Sequence, residues 1–368
     1  MKFSRIVIIS MIIGLFLLYF RIVEIDTVHT SLKYTRLSGS DMLVLDNTTL
    51  TLFRNSLEKH GRYTFTNHPI NADVLFFNLL TDYVDMYDIV NSIPKCSIIY
   101  GIISIDMFAS KSKMFHHLRD TLPSSSLYKV VPKTYLLTER EMPLFRNEYD
   151  PSKLYILKKN LQRQQGVLIT NSVHQIISAE KDSYVVCQEL MTNNFLVRGR
   201  KVNLRKYVVL MVTTEPHIYM YNDGFIYYAK NLFDSKSSDH DVHITTGYVD
   251  RKIYKENPLT VRELYKQMGK SGETLRDNVE GTLRMVFRTY VALLKQQDAL
   301  NSKTNFVILG CDLSVDKKLQ VKLMEINKGP DMSAKDSRDG SLKQDLVSQS
   351  LRLVGAIPGS PKNLVRIF

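Results

Sequence analysis

The fold of this chain is decided by the stretch from Asn305 to Met332, which reads NFVILGCDLSVDKKLQVKLMEINKGPDM. Two apolar runs flank a polar turn, with Asp312 late in the first run and Glu325 and Asn327 at the end of the second. Alternate side chains of a strand share a face, so Glu325 and Asn327 project together, and Asp312 joins them if the strands pair. Three oxygen ligands on a sheet suit Mg²⁺. A hairpin with solvent-facing acids is the alternative that this stretch leaves open.

Length and charge narrow the class of protein. The 368 residues suffice for two or three structural units, and 44% apolar with 23% charged residues is typical of a globular chain. The net charge of +12 favours an acidic partner such as a nucleotide, a membrane surface or an acidic polypeptide. The sequence has no nucleic-acid-binding motif, so no nucleic acid partner is expected.

The cysteines indicate a reducing environment. Cys96, Cys187 and Cys311 are the three cysteines of the chain; they are widely spaced and form no CxxC motif. Because an odd number cannot complete a set of internal disulfides, we expect three buried free thiols.

The N-terminus predicts a membrane anchor. An uncharged run, IVIISMIIGLFLLYF, extends from Ile6 to Phe20 between basic residues, and snorkelling of Arg21 extends it to Val23. No small-residue cleavage site follows, so residues 1–26 are interpreted as an uncleaved, single-pass signal anchor that contacts the membrane through residues 6–23. The positive charge before the run favours a cytoplasmic N-terminus, which would place the rest of the chain on the other side of the membrane. Free thiols and a need for ATP instead favour a location of the rest of the chain in the cytosol.

The rest of the chain predicts a mixed α/β (α+β) protein in three parts. Strand-like runs at 71–80 and 97–105 enclose a helix-like segment at 85–93, which predicts a parallel α/β domain over 27–125, ending at the polar break Ser124–Ser126. A central domain is expected over 126–186. A C-terminal domain is expected over 187–368, with a hairpin turn at Asn222–Gly224, a helical region interrupted near Gly269 and a closing helix.

Basic and polar groups upstream of the acidic strands can hold a nucleotide. Lys158 lies at the end of a predicted strand, just before a turn at Gly166, where its ammonium group can bind phosphates. An exposed basic turn gives the same sequence pattern. A predicted strand ends at Gln188, Glu189 and Leu190, whose backbone groups can form hydrogen bonds with the edge of an adenine.

A basic strand follows this segment. Alternation places Lys201, Asn203 and Arg205 on one face of an extended chain, where two cations flanking an amide suit a ribose and its phosphates. His243 and Thr245, in a polar loop, are further candidate nucleotide contacts. The order along the chain, from phosphate lysine to adenine segment, basic strand and acidic metal strands, is the order of an ATP-grasp site.

These residues resemble a known family, the tubulin–tyrosine ligase-like proteins of the ATP-grasp superfamily. The resemblance covers about Ala72 to Met332 and rests on VPKTYLL, ILKK…RQQGV, VCQEL, GRKVNLRKYVVL, YMYNDGFIYYA, HITTGY and LGCDLSVD…LMEINKGP. The resemblance implies an ATP-grasp fold and a ligase that uses ATP and Mg²⁺ to activate a carboxylate as an acyl phosphate, which an amine then attacks. It also implies a free amino acid and an acidic polypeptide acceptor such as a tubulin C-terminal tail.

The resemblance also implies roles for single residues. Lys158 would hold phosphates, Gln188 to Leu190 would line the adenine pocket, and Arg205 would face the γ-phosphate as a catalytic residue. Ribose and phosphate would contact Lys201 and Asn203. The metal ligands would be Asp312, Glu325 and Asn327.

Several positions depart from the family pattern. Glu189 replaces a usual Lys, Asn203 a usual Asp, Gln164 a glycine and Thr246 a usual Asn. Tyr227 stands where the family has an arginine, and Lys230 is the second catalytic candidate because it could take over that charge from the same strand face.

Three hypotheses follow from the sequence. The first is an ATP- and Mg²⁺-dependent ligase that joins an amino acid to a polypeptide carboxylate. The second is a membrane-tethered pseudo-ligase that binds nucleotide without turnover, and the third is an ATP-grasp ligase that acts on a small molecule.

Overall fold

The structure is a computed structural model of the chain, and it describes residues 32–36, 47–60, 63–66, 71–77, 96–160, 166–246, 248–296 and 303–368. The strands are β1 (Leu32–Arg36), β2 (Tyr63–Phe65), β3 (Val74–Phe76), β4 (Ile98–Tyr100), β5 (Thr134–Leu136), β6 (Tyr155–Lys158), β7 (Val167–Thr170), β8 (Val186–Glu189), β9 (Leu196–Val197), β10 (Arg200–Val212), β11 (Pro216–Ala229), β12 (Thr245–Thr246), β13 (Thr304–Val315), β14 (Val321–Asn327) and β15 (Leu364–Arg366). The helices are α1 (Asn47–Lys59), α2 (Asp106–Ala109), α3 (Lys111–Thr121), α4 (Ser124–Val130), α5 (Met142–Glu148), α6 (Val173–Ser178), α7 (His240–His243), α8 (Ile253–Glu256), α9 (Val261–Met268), α10 (Lys270–Thr289), α11 (Val291–Lys295) and α12 (Ser337–Leu353), with a 3₁₀ turn at Ala179–Asp182.

A large mixed sheet forms the body of the molecule. Its main order is β12-β11-β10-β13-β4-β3-β1-β2, with β14 on β13, β15 on β11 and β9 on β10. The long strands β10 and β13 lie at its centre and pair antiparallel from Asn203 opposite Ser314 to Val212 opposite Asn305. Almost every residue of β13 is buried, which explains its continuous apolar run, since a strand covered on both faces has no solvent side.

A second, four-stranded sheet has the order β5-β8-β6-β7. Its apolar side is a separate small core that includes Tyr135, Phe145 and Tyr155. Strand β8 pairs with both β5 and β6, so the sheet extends to Glu189, three residues past the boundary expected after residue 186.

The parallel unit expected near the N-terminus is confirmed in its strands. β3 and β4 pair in parallel, with Val74 opposite Ile98, while the helix expected at 85–93 lies outside the described residues. The unit shares its sheet with the rest of the body, because β4 also pairs in parallel with β13. Ser124–Ser126 are not a break in secondary structure, because after Pro123 these serines form the first turn of α4, whereas the domain boundary expected there stays a prediction.

The hairpin turn expected at Asn222–Gly224 is also wrong. These residues lie inside the single strand β11, opposite a register shift in β10 between Lys206 and Val208. A Cβ at Gly224 would lie 2.2 Å from the Arg205 carbonyl oxygen, so the glycine permits a close backbone approach rather than a reversal. Lys206, fully buried, donates to the carbonyl oxygens of Tyr221 and Asp223 and so holds the irregular segment in place.

Other expectations concern the helices, the thiols and the anchor. The interruption near Gly269 is confirmed, with positive φ between α9 and α10, and the closing helix is α12. All three cysteines are buried and free, as expected. Residues 6–23 lie outside the described residues, so the anchor stays a prediction; among the described helices, none is long and apolar enough to cross a membrane.

Candidate functional site

The basic strand is the floor of the candidate site. Lys201, Asn203 and Arg205 alternate along β10 and therefore share one face of the large sheet. β10 is paired on both edges, by β11 and β13. Its two cations are buried rather than solvated, with 4% of Lys201 and 9% of Arg205 exposed.

The acidic residues meet beside Arg205. Asp312 lies opposite Arg205 across the β10–β13 pair and opposite Glu325 across the β13–β14 pair, which confirms the expected pairing of the two acidic strands. Asn327 Nδ2 lies 3.3 Å from Asp312 Oδ2 and 3.4 Å from Glu325 Oε1. The structure therefore brings together the three residues that the sequence singles out for a metal.

Arg205 and Asp312 form a bidentate pair. Nε of Arg205 donates to Oδ1 of Asp312 at 2.5 Å, and Nη2 donates to Oδ2 at 2.8 Å. The ring of Tyr227 lies 5.0 Å from the guanidinium carbon, within cation–π range. Burial raises the pKa of Asp312 against the opposing effect of Arg205. Both oxygens of this carboxylate are thus engaged by one cation.

Lys111 is a site residue that the sequence reasoning missed. Its Nζ lies 3.4 Å from Glu325 Oε2, and its side chain is 12% exposed. It begins α3, which is capped by the Ser110 hydroxyl, so the available sequence signal was only the start of a basic helix. Burial raises the pKa of Glu325, but Lys111 and Lys158 outweigh it and bring that pKa to about 2.

Lys158 connects the small sheet to the acidic cluster. It ends β6, and its buried Nζ donates to Oε1 of Gln188 at 2.9 Å, while Gln188 donates in turn to the Thr134 hydroxyl at 2.8 Å. Burial lowers the pKa of Lys158 to about 8, with Glu325 opposing. The turn residues 161–165, which include Arg163 and Gln164, lie outside the described residues.

Three polar groups near β10 lack partners among the described residues. Lys201 has no hydrogen-bond or ion-pair partner there, and burial, followed by the nearby charge of Lys158, lowers its pKa to about 8. The buried Asn203 Oδ1 and His243 Nδ1 also have no hydrogen bond. His243 Nε2 lies 2.6 Å from the Ser237 carbonyl oxygen, which assigns the ring proton to Nε2 and leaves Nδ1 as an acceptor. Thr245 lies on β12, opposite Ala229.

The segment expected to meet adenine is partly engaged already. The N–H of Glu189 donates to the Lys133 carbonyl oxygen, and that of Leu190 donates to the Leu154 carbonyl oxygen, both at 2.8 Å. The Glu189 carboxylate pairs with Lys153 at 3.1 Å. An adenine edge would therefore have to meet other groups of residues 188–190, whose role stays a prediction.

Lys230 does not share the strand face of Tyr227. β11 ends at Ala229, and Lys230 follows it three residues after Tyr227, an odd spacing that alternation assigns to the other face. Its half-exposed side chain pairs with Asp241 at 3.1 Å. The structure thus gives Lys230 a rim position away from the Arg205 pair, and its catalytic role stays a prediction.

The donor set fits a magnesium–nucleotide complex. Among the described residues, no group of three or more His, Cys, Asp or Glu side chains could hold a metal, so the candidate ligands are two carboxylates and one amide. Mg²⁺ completes such a set with water and phosphate oxygens. The Asn327 amide now points its nitrogen at the carboxylates, and a half-turn would present Oδ1 instead. Three cations, Lys111, Lys158 and Arg205, surround the two carboxylates and leave the cluster positive, and Lys201 lies near Lys158.

The comparisons with known proteins identify the family. The sequence model of the Tubulin-tyrosine ligase family matches residues 82–363, which is more than half of the chain. The chain belongs to the tubulin-tyrosine ligase family. The resemblance drawn from the motifs is therefore confirmed at the level of the family.

Relatives within the tubulin-tyrosine ligase family are distant. A "Probable beta-tubulin polyglutamylase" of Tetrahymena thermophila is 24% identical over 62% of this chain and 21% of its own length. "Tubulin glycylase 3B" of Drosophila melanogaster is 22% identical over 68% of this chain and 36% of its own length. "Inactive polyglycylase TTLL10" of Homo sapiens is 24% identical over 54% of this chain and 34% of its own length. The chain thus spans less than half of the length of each of these relatives.

Proposed function

We propose that this protein is an ATP- and Mg²⁺-dependent ligase with an ATP-grasp fold that joins an amino acid to a carboxylate of an acidic polypeptide. The observation that carries the proposal is the cluster between the two sheets, in which three cations surround Asp312, Glu325 and Asn327 and the buried Lys201 lies near one of them, Lys158. A triphosphate bound to a divalent cation fits this cluster, because the cations suit phosphate oxygens and the oxygen ligands suit the metal.

Different residues of the cluster would contact different parts of the nucleotide. Lys158 and Lys201 are buried ammonium groups suited to phosphate oxygens, and Arg205 offers a planar fork for the γ-phosphate. The unpartnered Asn203 Oδ1 and His243 Nδ1 are acceptors suited to ribose hydroxyls. Asp312, Glu325 and Asn327 would hold Mg²⁺, which neutralises phosphate charge when it is bound.

The chemistry asks mainly for positioning and charge. In this proposal a carboxylate oxygen takes the γ-phosphoryl group and releases ADP, and an amine then displaces phosphate from the acyl carbon to leave an amide. Arg205 and Lys158 orient the phosphoryl group and balance the charge that develops on it. Burial of these cations excludes water, which strengthens their interactions with the phosphates.

The substrates are proposed from the relatives and the charge. Two of the relatives are named as a polyglutamylase and a glycylase of tubulin, so glutamate and glycine are the first amino acids to test, and an acidic tubulin tail is the first acceptor. The net charge of +12 suits an acidic tail.

The test is an ADP-release assay. The full chain, purified in mild detergent, is incubated with Mg²⁺-ATP and a mixture of amino acids, with and without an acidic tail peptide, and Glu325→Gln serves as the blank. Peptide-dependent ADP release that the blank lacks is the expected result. Release that is independent of peptide would instead indicate a ligase acting on a small molecule.

A second candidate is a nucleotide-binding pseudo-ligase. It is favoured by Tyr227, which puts a neutral ring beside Arg205 where the motif resemblance implies an arginine, and by the relative named as inactive. Nucleotide binding without ADP release under any acceptor would select this candidate and reject the first. Tyr227→Arg is then the variant to test for recovery of turnover.

A further inference from the structure

A cleft of about 450 Å³ lies on β11, away from the nucleotide cluster. It is formed between β11, α9, α12 and the C-terminal segment. Its lining includes Tyr221, Asp223, Arg262, Lys266, Arg338 and Asn363. None of the residues that the proposed ligase uses for nucleotide or metal lines this cleft.

The acids of the cleft are committed to internal hydrogen bonds. Asp223 Oδ1 accepts from the backbone N–H groups of Gly224 and Arg262. Glu263 Oε2 accepts from the N–H groups of Leu259 and Thr260 in the capping box of α9. Asp345 accepts from the Tyr221 hydroxyl and from two side-chain amides, those of Asn363 and Gln349.

The cations of the cleft keep most of their donors free. The side chains of Arg262 and Arg338 are 59% and 50% exposed, and their contacts to Asp223 and Glu263 are long, at 3.6 and 3.3 Å. Lys266 is exposed and makes no ion pair within the part of the chain that the structure describes. An arginine has five N–H groups, so both guanidinium groups can also bind carboxylates of a partner. Three cations and three carboxylates line the cleft, and each arginine is more exposed than the carboxylate beside it, so the rim offers guanidinium donors to an acidic occupant.

The cleft and the nucleotide cluster are connected by one strand. Tyr221 lines the cleft, and Tyr227 lies beside Arg205 on the same β11. Six residues of the sequence separate them, but two of these are the extra residues of the register shift, so the span matches about four residues of β10, or roughly 13 Å. An extended peptide of about four residues spans the same distance.

We infer that this cleft binds an acidic segment of the polypeptide acceptor, about four residues from the carboxylate that is modified. The inference rests on the proposed ligase function, because only a ligase would modify a carboxylate of the acceptor. Binding of the acidic segment can be measured without turnover. Carboxylates of an extended chain would pair with Arg262, Lys266 and Arg338 at the rim.

The first experiment measures binding directly. Fluorescence anisotropy of a labelled, glutamate-rich peptide of about 12 residues is recorded with the full chain and with the triple variant Arg262→Glu/Lys266→Glu/Arg338→Glu. The matched control reverses three exposed cations of α10, in Lys270→Glu/Arg276→Glu/Arg288→Glu. We expect Kd to rise at least about tenfold in the cleft variant and much less in the control. Equal effects in both variants, or no binding to the unaltered chain, would overturn the inference.

A neutral variant covers the case in which charge reversal prevents folding. Arg262→Gln/Lys266→Gln/Arg338→Gln removes the positive charge without adding repulsion, and it should weaken peptide binding in the same direction.

The second experiment uses turnover. In the unaltered chain, KM should be higher for an acidic peptide of about three residues, which is too short to reach the cleft, than for one of about 12 residues. In the cleft variant the two KM values should be the same. A length advantage that survives in the cleft variant would contradict the inference. If no peptide supports ADP release, the ligase proposal fails, and the anisotropy result still decides whether the cleft binds acidic peptides.

Discussion

Lys201 and Arg205 lie four residues apart on the same buried face of β10, yet their surroundings differ. Arg205 makes two hydrogen bonds to Asp312, whereas Lys201 has no hydrogen-bond partner among the described residues. Burial on its own lowers the pKa of each group. For Arg205, Asp312 more than reverses this effect and raises the pKa, and for Lys201 the pKa stays lowered to about 8.

The difference teaches that the two ends of the site are prepared for ligand in different ways. The Lys201 end is a buried positive charge that an anion would stabilise. At the Arg205 end, cation and carboxylate satisfy each other. In the proposed site Mg²⁺ would bind Asp312 and the γ-phosphate would bind Arg205, so each ligand would have to break this pair, and we expect metal and nucleotide to favour each other's binding.

Removing the arginine is expected to have the largest effect. Arg205→Met leaves Asp312 buried without its partner and should lower the free energy of unfolding by about 3–5 kcal/mol. Urea denaturation measures this change in the free energy of unfolding. Arg276→Met, at an exposed position of α10, is the control and should change stability by less than about 0.5 kcal/mol. A loss for Arg205→Met no greater than this control would mean that the pair with Asp312 does not stabilise the protein.

Neutralising a metal ligand comes next. Glu325→Gln removes a charge proposed to hold Mg²⁺ and should lower ADP release by at least about 100-fold while circular dichroism stays unchanged. Glu280→Gln, at an ion pair of α10, is the matched control. Turnover in Glu325→Gln equal to that of the unaltered chain would show that the metal assignment is wrong.

The comparison is sharpest for Lys201→Met, where two effects have opposite signs. Loss of a charge-assisted phosphate contact should raise the nucleotide Kd by roughly 10- to 100-fold. Loss of an unpaired buried ammonium should raise the free energy of unfolding, by up to roughly 3 kcal/mol. Calorimetry measures the nucleotide Kd, and urea denaturation measures the free energy of unfolding. A destabilised variant would indicate that Lys201 has a structural partner.

The pH dependence should show the smallest effect. Lys158 and Lys201 have pKa values near 8 in the free protein and, in the proposed site, must be protonated to bind phosphate, so loss of each proton should raise Kd about tenfold between about pH 7 and about pH 9. Each folded pKa is below the unfolded value of 10.5, so the unfolded chain binds more protons in this window. The penalty of each lysine on stability therefore shrinks as pH rises from about 8. Lys201→Met should flatten both slopes in titrations at each pH; unchanged slopes would contradict the assignment.

The centre of the fold was predictable because local patterns and tertiary structure agree there. The alternation of Lys201, Asn203 and Arg205 and the apolar runs around Asp312 and Glu325 belong to β10, β13 and β14, which pair antiparallel in that order in one sheet. These patterns were sufficient to bring six of the expected site residues into one region.

Other features depend on distant contacts that no local pattern carries. The turn propensity of Asn222–Gly224 was overridden, because buried Lys206 caps the carbonyl oxygens of the segment and Gly224 packs against the Arg205 backbone. Lys111 reaches Glu325 from a helix more than 200 residues earlier in the chain, so its place in the site follows from the packing of α3 alone.

The most direct test of the account is a calorimetric titration of the full chain with a non-hydrolysable ATP analogue, with and without Mg²⁺. The account predicts binding that Mg²⁺ strengthens, that Lys201→Met weakens in both conditions, and that in Glu325→Gln no longer responds to Mg²⁺. Absence of binding, or one affinity shared by all three proteins, would contradict the assignment of this cluster as a magnesium–nucleotide site.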